Sequence, residues 1–231
     1  MWYSFHIYGI SPEQFLDTLN RNRLDRKSFF INYIDYNGFH VRLRLFLSDA
    51  EEKREYLNLL RDLFAGCKVV EKIYDPEYNV YGDSLELYEE YSVALSAYLV
   101  EHGRVDRMTM LLTARKLLHA FDRMDVRYLK FHVAWWENGT GGRLISRIQA
   151  SPQTDIRDQT LDAKLERLIE KFVAPGIPAM PDTVKDRLCF QFIHMTLNKM
   201  NCTIAEEAAI IKWFLKMKEE SPHEVPGSLF L

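Results

Sequence analysis

Along residues 39–45, Phe-His-Val-Arg-Leu-Arg-Leu, apolar and polar side chains alternate with a period of two. That is the period of a strand, with Phe39, Val41, Leu43 and Leu45 turned to a core and His40, Arg42 and Arg44 to the opposite surface. Residues 2–8 (WYSFHIY) form another β-favouring run, broken by Gly9 ahead of Ser11-Pro12-Glu13, which reads as a helix cap with proline in the first turn. Phe29 to Ile34 and Phe39 to Leu47 read as an antiparallel pair joined through Asp35-Tyr36-Asn37-Gly38, where Asn-Gly is a hairpin signal. Ser48 with Glu51 reads as a capping box for a helix carrying Tyr56, Leu57, Leu60 and Phe64 at helical spacing, stopped by Gly66. A fourth strand is expected over Lys68 to Tyr74.

Beyond Gly82 the period becomes helical. Ser84 is a candidate cap for a stripe of Leu85, Tyr88, Tyr91, Leu95 and Leu99, and further helices are expected at 107–122, 124–136, 158–173, 182–200 and 204–219. Asn138-Gly139-Thr140-Gly141-Gly142 reads as a loop without the strand and Gly-Lys-Ser context of a phosphate loop. The run from Pro175 to Pro181 reads as a rigid break, and Thr203 with Glu206 as a second capping box. The expected fold is α+β, a ferredoxin-like βαββαβ N-terminal half with a helical C-terminal half packed on it. A single domain over 1–231 is expected, with the sheet unit in 1–82 and the helical part in 83–231.

A chain of 231 residues with 47% hydrophobic content can bury one substantial core. A net charge of −3 argues against a generic nucleic-acid binder while leaving room for a local basic face; no direct nucleic-acid contact is expected, and a peptide or small molecule is the expected partner. Cys67, Cys189 and Cys202 are odd in number and lack metal or redox spacing, which fits a reducing cytoplasm. No apolar run approaches twenty residues and the chain opens on strand-like residues, so neither a membrane anchor nor a signal peptide is expected. His6, His102, His119, His132 and His223 are scattered, so neither a metal site nor a cofactor is expected. Cys189 and His194, five apart on one helix, point in different directions. Trp135-Trp136 either frames a pocket or caps the core.

Three places carry polar residues with chemical potential. On the hairpin these are Asn32, His40, Arg42 and Arg44. Two guanidiniums two residues apart on one strand face lie roughly 7 Å from each other and repel, so a carboxylate or phosphate between them relieves the pair. A plain solvated sheet face is the other reading. The segment from Tyr74 to Gly82 either projects Glu77 beside the sheet or is a surface turn. His194 and Asn198, four apart, share a helix face, as substrate contacts or as a satisfied core pair.

Together these segments resemble the C-terminal elimination domain of lantibiotic dehydratases, which also occurs as a stand-alone thiopeptide-type bacteriocin biosynthesis protein. The family hairpin reads roughly F-F-I-R-Y-x-D-x-x-x-H-x-R-x-R, and this chain has Phe29-Phe30-Ile31-Asn32-Tyr33-Ile34-Asp35, then His40, Arg42 and Arg44. A Y-x-x-E-x-x-R-Y-G-like segment is mirrored by Tyr74 to Gly82, Tyr91-Ser92 echoes an acidic D-S pair, and H-M-x-x-N-R appears as His194-Met195-Thr196-Leu197-Asn198-Lys199. The resemblance spans residues 2 to about 215.

It implies maturation of a ribosomally made peptide at Ser- or Thr-derived positions, with a leader-bearing precursor as partner. His194, Tyr33 and Glu77 are then the candidates for moving protons, and His40, Arg42, Arg44, Asn32, Asn198 and Lys199 for binding substrate. Two family arginines associated with expelling glutamate from a glutamylated side chain fall on Asn32 and Val80. The resemblance therefore leans to the pyridine synthases, which join two dehydroalanines in a formal [4+2] cycloaddition and expel water and leader. Glutamate elimination beside a separate glutamylating dehydratase subunit is the alternative. A non-catalytic subunit that holds the precursor by strand addition is a third reading. The apolar end Leu229-Phe230-Leu231 points to homodimerisation.

Overall fold

The alternating runs pair as their patterns require. In the computed structural model, which describes residues 1–138, 159–173 and 180–220, the first half runs β1 (Trp2–Tyr8), α1 (Pro12–Arg21), β2 (Ser28–Asp35), β3 (Gly38–Phe46), α2 (Ala50–Leu63) and β4 (Lys68–Lys72). The strands lie in the order β2-β3-β1-β4, every neighbour antiparallel, which is the ferredoxin-like arrangement of a βαββαβ unit. Because side chains alternate, one face carries Phe5, Ile7, Phe30, Val41, Leu43 and Leu45, all buried. Phe15 of α1 packs on that face against Phe30, with centroids 5.2 Å apart, and against Phe64 at the end of α2, at 5.7 Å. The other face sets Ser4 opposite Arg44, His6 opposite Arg42 and Tyr8 opposite His40.

A short α3 (Tyr78–Tyr81) and a 3-10 turn (Gly82–Ser84) lead into the helical part. It consists of α4 (Leu85–His102), α5 (Arg107–Ala120), α6 (Val126–Asn138), α7 (Ala163–Phe172), α8 (Asp182–Lys199) and α9 (Ile204–Glu220). The fold is α+β, a four-stranded antiparallel sheet followed by a mostly helical remainder. Arg123, buried after α5, donates to Asp182 at 2.8 Å and to Asp186 at 2.5 Å and so ties the start of α8 to the end of α5. Among the described residues no helix is long and apolar enough to cross a membrane.

Local signals differ from expectation at four points. The cap of α2 is Asp49, whose carboxylate accepts from the amides of Glu51 and Glu52, while Ser48 donates its amide to Glu52 at 2.6 Å. Carboxylate oxygens accept charge-assisted bonds that a hydroxyl cannot match, so the cap moves by one residue. Ser84 makes no capping bond, because the 3-10 turn runs straight into α4. In the hairpin, Asp35 pairs with Gly38 and the two turn residues are Tyr36 and Asn37, neither with positive φ. Gly38 alone takes φ 101°, a value that L side chains avoid, so glycine follows the turn rather than completing it. The fourth strand ends at Lys72, two residues early. The expectations for Gly139 to Gly142, Pro175 to Ala179 and Leu229 to Leu231 lie outside the described residues.

The exposed edge of β2 is not free. Ser96 of α4 accepts the amide of Phe30 at 3.3 Å. The Asn198 side chain accepts from the Asn32 amide at 2.9 Å and donates to the Asn32 carbonyl at 2.8 Å, as a neighbouring strand would.

Candidate functional site

The polar face of the sheet is not uniform: one end is open and the other is covered. At one end it is a stack of rings, in which His6 and Tyr8 lie against His40 with centroids at 4.7 and 4.4 Å. The Arg42 guanidinium sits 3.2 Å over the Tyr33 ring and reaches His40 Nε2 at 3.4 Å. Planar guanidinium on an aromatic face is favourable through charge and quadrupole, so Arg42 and Tyr33 orient each other. Burial, then Arg42 and His40, push His6 down to about 3, and burial lowers His40 as well. Both rings are therefore neutral near pH 7 and leave the guanidiniums as the fixed charges. Tyr33 is 41% exposed, so this end opens to solvent.

Toward the other end the face is closed over. Trp2 and Tyr74 both donate to Glu89 of α4 at 2.6 Å, and Phe29 meets Tyr88 edge-on. Beneath lie two buried cations, Arg44 at 5% exposure and Lys199 at 1%. Arg44 bonds the Ser4 hydroxyl and leaves Nε without a partner. Lys199 Nζ rests 5.4 Å from the Tyr88 ring and 5.8 Å from that of Phe29, also without a hydrogen bond. The hydroxyls of Tyr81, Tyr88 and Ser92 are buried close to one another, with Tyr81 stacked on Tyr88 at 3.9 Å. Burial and then Arg42 bring Arg44 down to about 10; burial and then Arg44 bring Lys199 down to about 7, with Glu77 acting the other way. Unpaired buried charge is costly, and donors without acceptors are what a bound anion would satisfy. Glu77 stands next to this cluster in a left-handed conformation, φ 53°, held by its amide on Asp75 at 3.0 Å. A non-glycine residue in that region carries local strain.

A third constellation surrounds His194. Its Nδ1 lies 2.8 Å from Glu207 on α9, and the same carboxylate takes His132 Nε2 of α6 at 2.8 Å and Trp136 Nε1 at 3.0 Å. Asn198, one turn on, faces the β2 edge, which puts His194 about 6 Å along the helix from that contact. Lys199 lies roughly 140° around α8 from His194, so the two serve different sides of one helix.

The candidates therefore separate. His40, Arg42 and Tyr33 meet on the open sheet face; Arg44, Lys199 and Glu77 gather beneath Tyr88; Asn32 and Asn198 hold each other, with Asn32 Nδ2 also donating to the Asn198 carbonyl at 2.7 Å. His194 sits with Glu207. Sequence reasoning missed His132, Glu207 and the tyrosine hydroxyls; their helices are far apart in the chain and no local spacing marks them. Trp136 joins the Glu207 network whereas Trp135 is largely exposed. Cys189 is fully buried, which pushes its thiol up and leaves it no nucleophile. Among the described residues no cluster of three or more His, Cys, Asp or Glu is arranged to hold a metal ion. A cleft of about 390 Å³ lies away from His194, beside α4, with Arg23, Lys27, Phe30 and Ser96 among its walls.

The family described as lantibiotic biosynthesis dehydratase C-term matches residues 2–217. Curated proteins yield no match. The crystal structure of the tRNA-dependent lantibiotic dehydratase MibB from Microbispora sp. 107891 is similar with a TM-score of 0.58 and 17% identity, over 97% of this chain and 28% of MibB. The pyridine synthase TbtD from thiomuracin biosynthesis is similar with a TM-score of 0.55 and 10% identity, over 95% of this chain and 98% of TbtD. The chain thus spans little more than a quarter of MibB, and identities this low speak to shared fold. Since the family match itself runs unbroken from β1 into α9, this chain belongs to the lantibiotic biosynthesis dehydratase C-terminal family.

Proposed function

We propose that the protein matures a ribosomally made peptide, acting on dehydroamino acids derived from Ser or Thr in a leader-bearing precursor, through a pyridine-synthase-like [4+2] cyclisation with loss of water and leader. The observation that carries this reading is Asn32. It stands where the resembled elimination domains have an arginine, and its amide is committed to Asn198. Val80, at the second such position, is apolar. Each lost charge-assisted contact to a departing carboxylate is worth about 1.5–3 kcal/mol, so a glutamate eliminator lacking both would lose about two powers of ten or more. Cyclisation has no glutamate to hold. It needs two segments brought together and protons moved, for which His194, Tyr33 and Glu77 are the candidates, with Arg42 and His40 lining the open face.

A second reading, elimination of glutamate, is favoured by the unpartnered Arg44 Nε and Lys199 Nζ, which suit a carboxylate. There a base removes the α-proton, the Cβ–O bond breaks and glutamate leaves. A purely peptide-holding role finds less support, since Ser96 and Asn198 already occupy part of the β2 edge that strand addition would use.

The test is mass spectrometry of two leader-bearing peptides after incubation, one with two dehydroalanines and one with a glutamylated serine. Loss of water with leader release from the first is expected, and is abolished in His194→Ala. Loss of glutamic acid from the second alone replaces this reading by elimination; binding without any mass change replaces it by delivery.

A further inference from the structure

Glu207 is 1% exposed in the first turn of α9, yet the helix does not need it as a cap. That work falls to its neighbour Glu206, which accepts from the Thr203 amide at 2.9 Å while Thr203 Oγ1 accepts from the Glu206 amide at 3.2 Å. A carboxylate buried without such a duty is expensive, and this one is held by three donors from two other helices.

The donors determine one another. Trp136 Nε1 can only donate, so Oε1 accepts from it and from His132 Nε2. Burial alone would raise the Glu207 carboxyl, but the bonds from His132 and His194 outweigh it and hold it near 2. The group is therefore an ionised acceptor at neutral pH, and His194 Nδ1 must carry the hydrogen directed at Oε2. In the neutral ring this leaves Nε2 bare. His132 is wholly enclosed, whereas the His194 side chain is 20% exposed, so of the two rings on this carboxylate only His194 reaches toward solvent.

We propose that Glu207 is a positioning residue that holds His194 as the Nδ1–H tautomer with Nε2 free to take a proton, a role resting on the reading of His194 as the proton-moving group. His132 and Trp136 anchor the carboxylate on its far side, so that it cannot turn away when His194 becomes charged.

The experiment uses the full chain labelled with 15N-histidine, read by two-bond 1H–15N correlation, beside turnover of the two peptides above. The wild type is expected to show His194 protonated at Nδ1 and bare at Nε2 when neutral. In Glu207→Gln the amide oxygen stays with His132 and Trp136, the NH2 group faces His194, and the tautomer flips to Nε2–H. Turnover then falls by about 10²–10⁴-fold, mainly in kcat, the range for a misdirected histidine base. Trp136→Phe, which removes a donor only from Oε1, keeps the Nδ1–H signature. A wild-type ring found as Nε2–H, or a Glu207→Gln ring unchanged from wild type, overturns the positioning role; the wild-type spectrum alone decides even if the variant does not fold. A flipped tautomer with full turnover in both Glu207→Gln and His194→Ala overturns the reading of His194 and the role of Glu207 with it.

Discussion

At Lys199 the fold buries an ammonium with no hydrogen-bond partner, and its titration exposes the cost. The folded group loses its proton near 7, the unfolded one near 10.5. Between these values the unfolded chain binds more protons, so this residue makes stability rise with pH from about 7 upward, and below 7 the charged amine is a full burden. Lys199→Met is expected to stabilise the protein by about 1–4 kcal/mol at pH 7 and to flatten that rise in denaturant titrations. A carboxylate ligand would do in the wild type what methionine does in the variant, and should lose its stabilising effect when Lys199 is replaced. His6 acts at the other end of the scale. Unfolded histidine takes up a proton near 6.5 and the folded ring only near 3, so stability is lost as pH falls through that window. Glu207, with its ordinary value at 4.5, adds nothing until lower pH, so a shallower decline between pH 6.5 and 4.5 in His6→Gln isolates the histidine.

Between elements, the join that matters is the edge of β2 against α8. Asn198 presents an amide to a peptide group, replacing a missing strand, and so sets where His194 stands one turn earlier. Asn198→Ala removes two bonds and is expected to cost about 1–3 kcal/mol, with faster hydrogen exchange at the Asn32 amide. Unchanged stability and exchange with lost turnover would instead make Asn198 a substrate contact. Capping was legible at Ser11, which caps α1 with Pro12 in its first turn, and at Thr203, which pairs with Glu206 as their spacing requires. It was misread by one residue at Asp49, where the adjacent Ser48 and Asp49 competed for the cap and only geometry selected the carboxylate.

Over the whole molecule, the periods of the chain determined the strands, the hairpin, the order βαββαβ and the main helices, because side-chain alternation and helical spacing are properties of the backbone that neighbouring residues report directly. Motifs in the hairpin and around His194 also carried the family, which the match over residues 2–217 shows. Tertiary structure alone decided the grouping of the polar residues. Arg42 and Arg44 are two apart on one strand face, yet one lies on Tyr33 at the open end and the other is enclosed beside Lys199, since α4 and the segment after β4 cover only part of the sheet. His132 and His194 are brought onto one carboxylate by the packing of α6, α8 and α9. A buried ion network depends on which helices meet and at what rotation, and no periodicity within a single segment encodes that meeting.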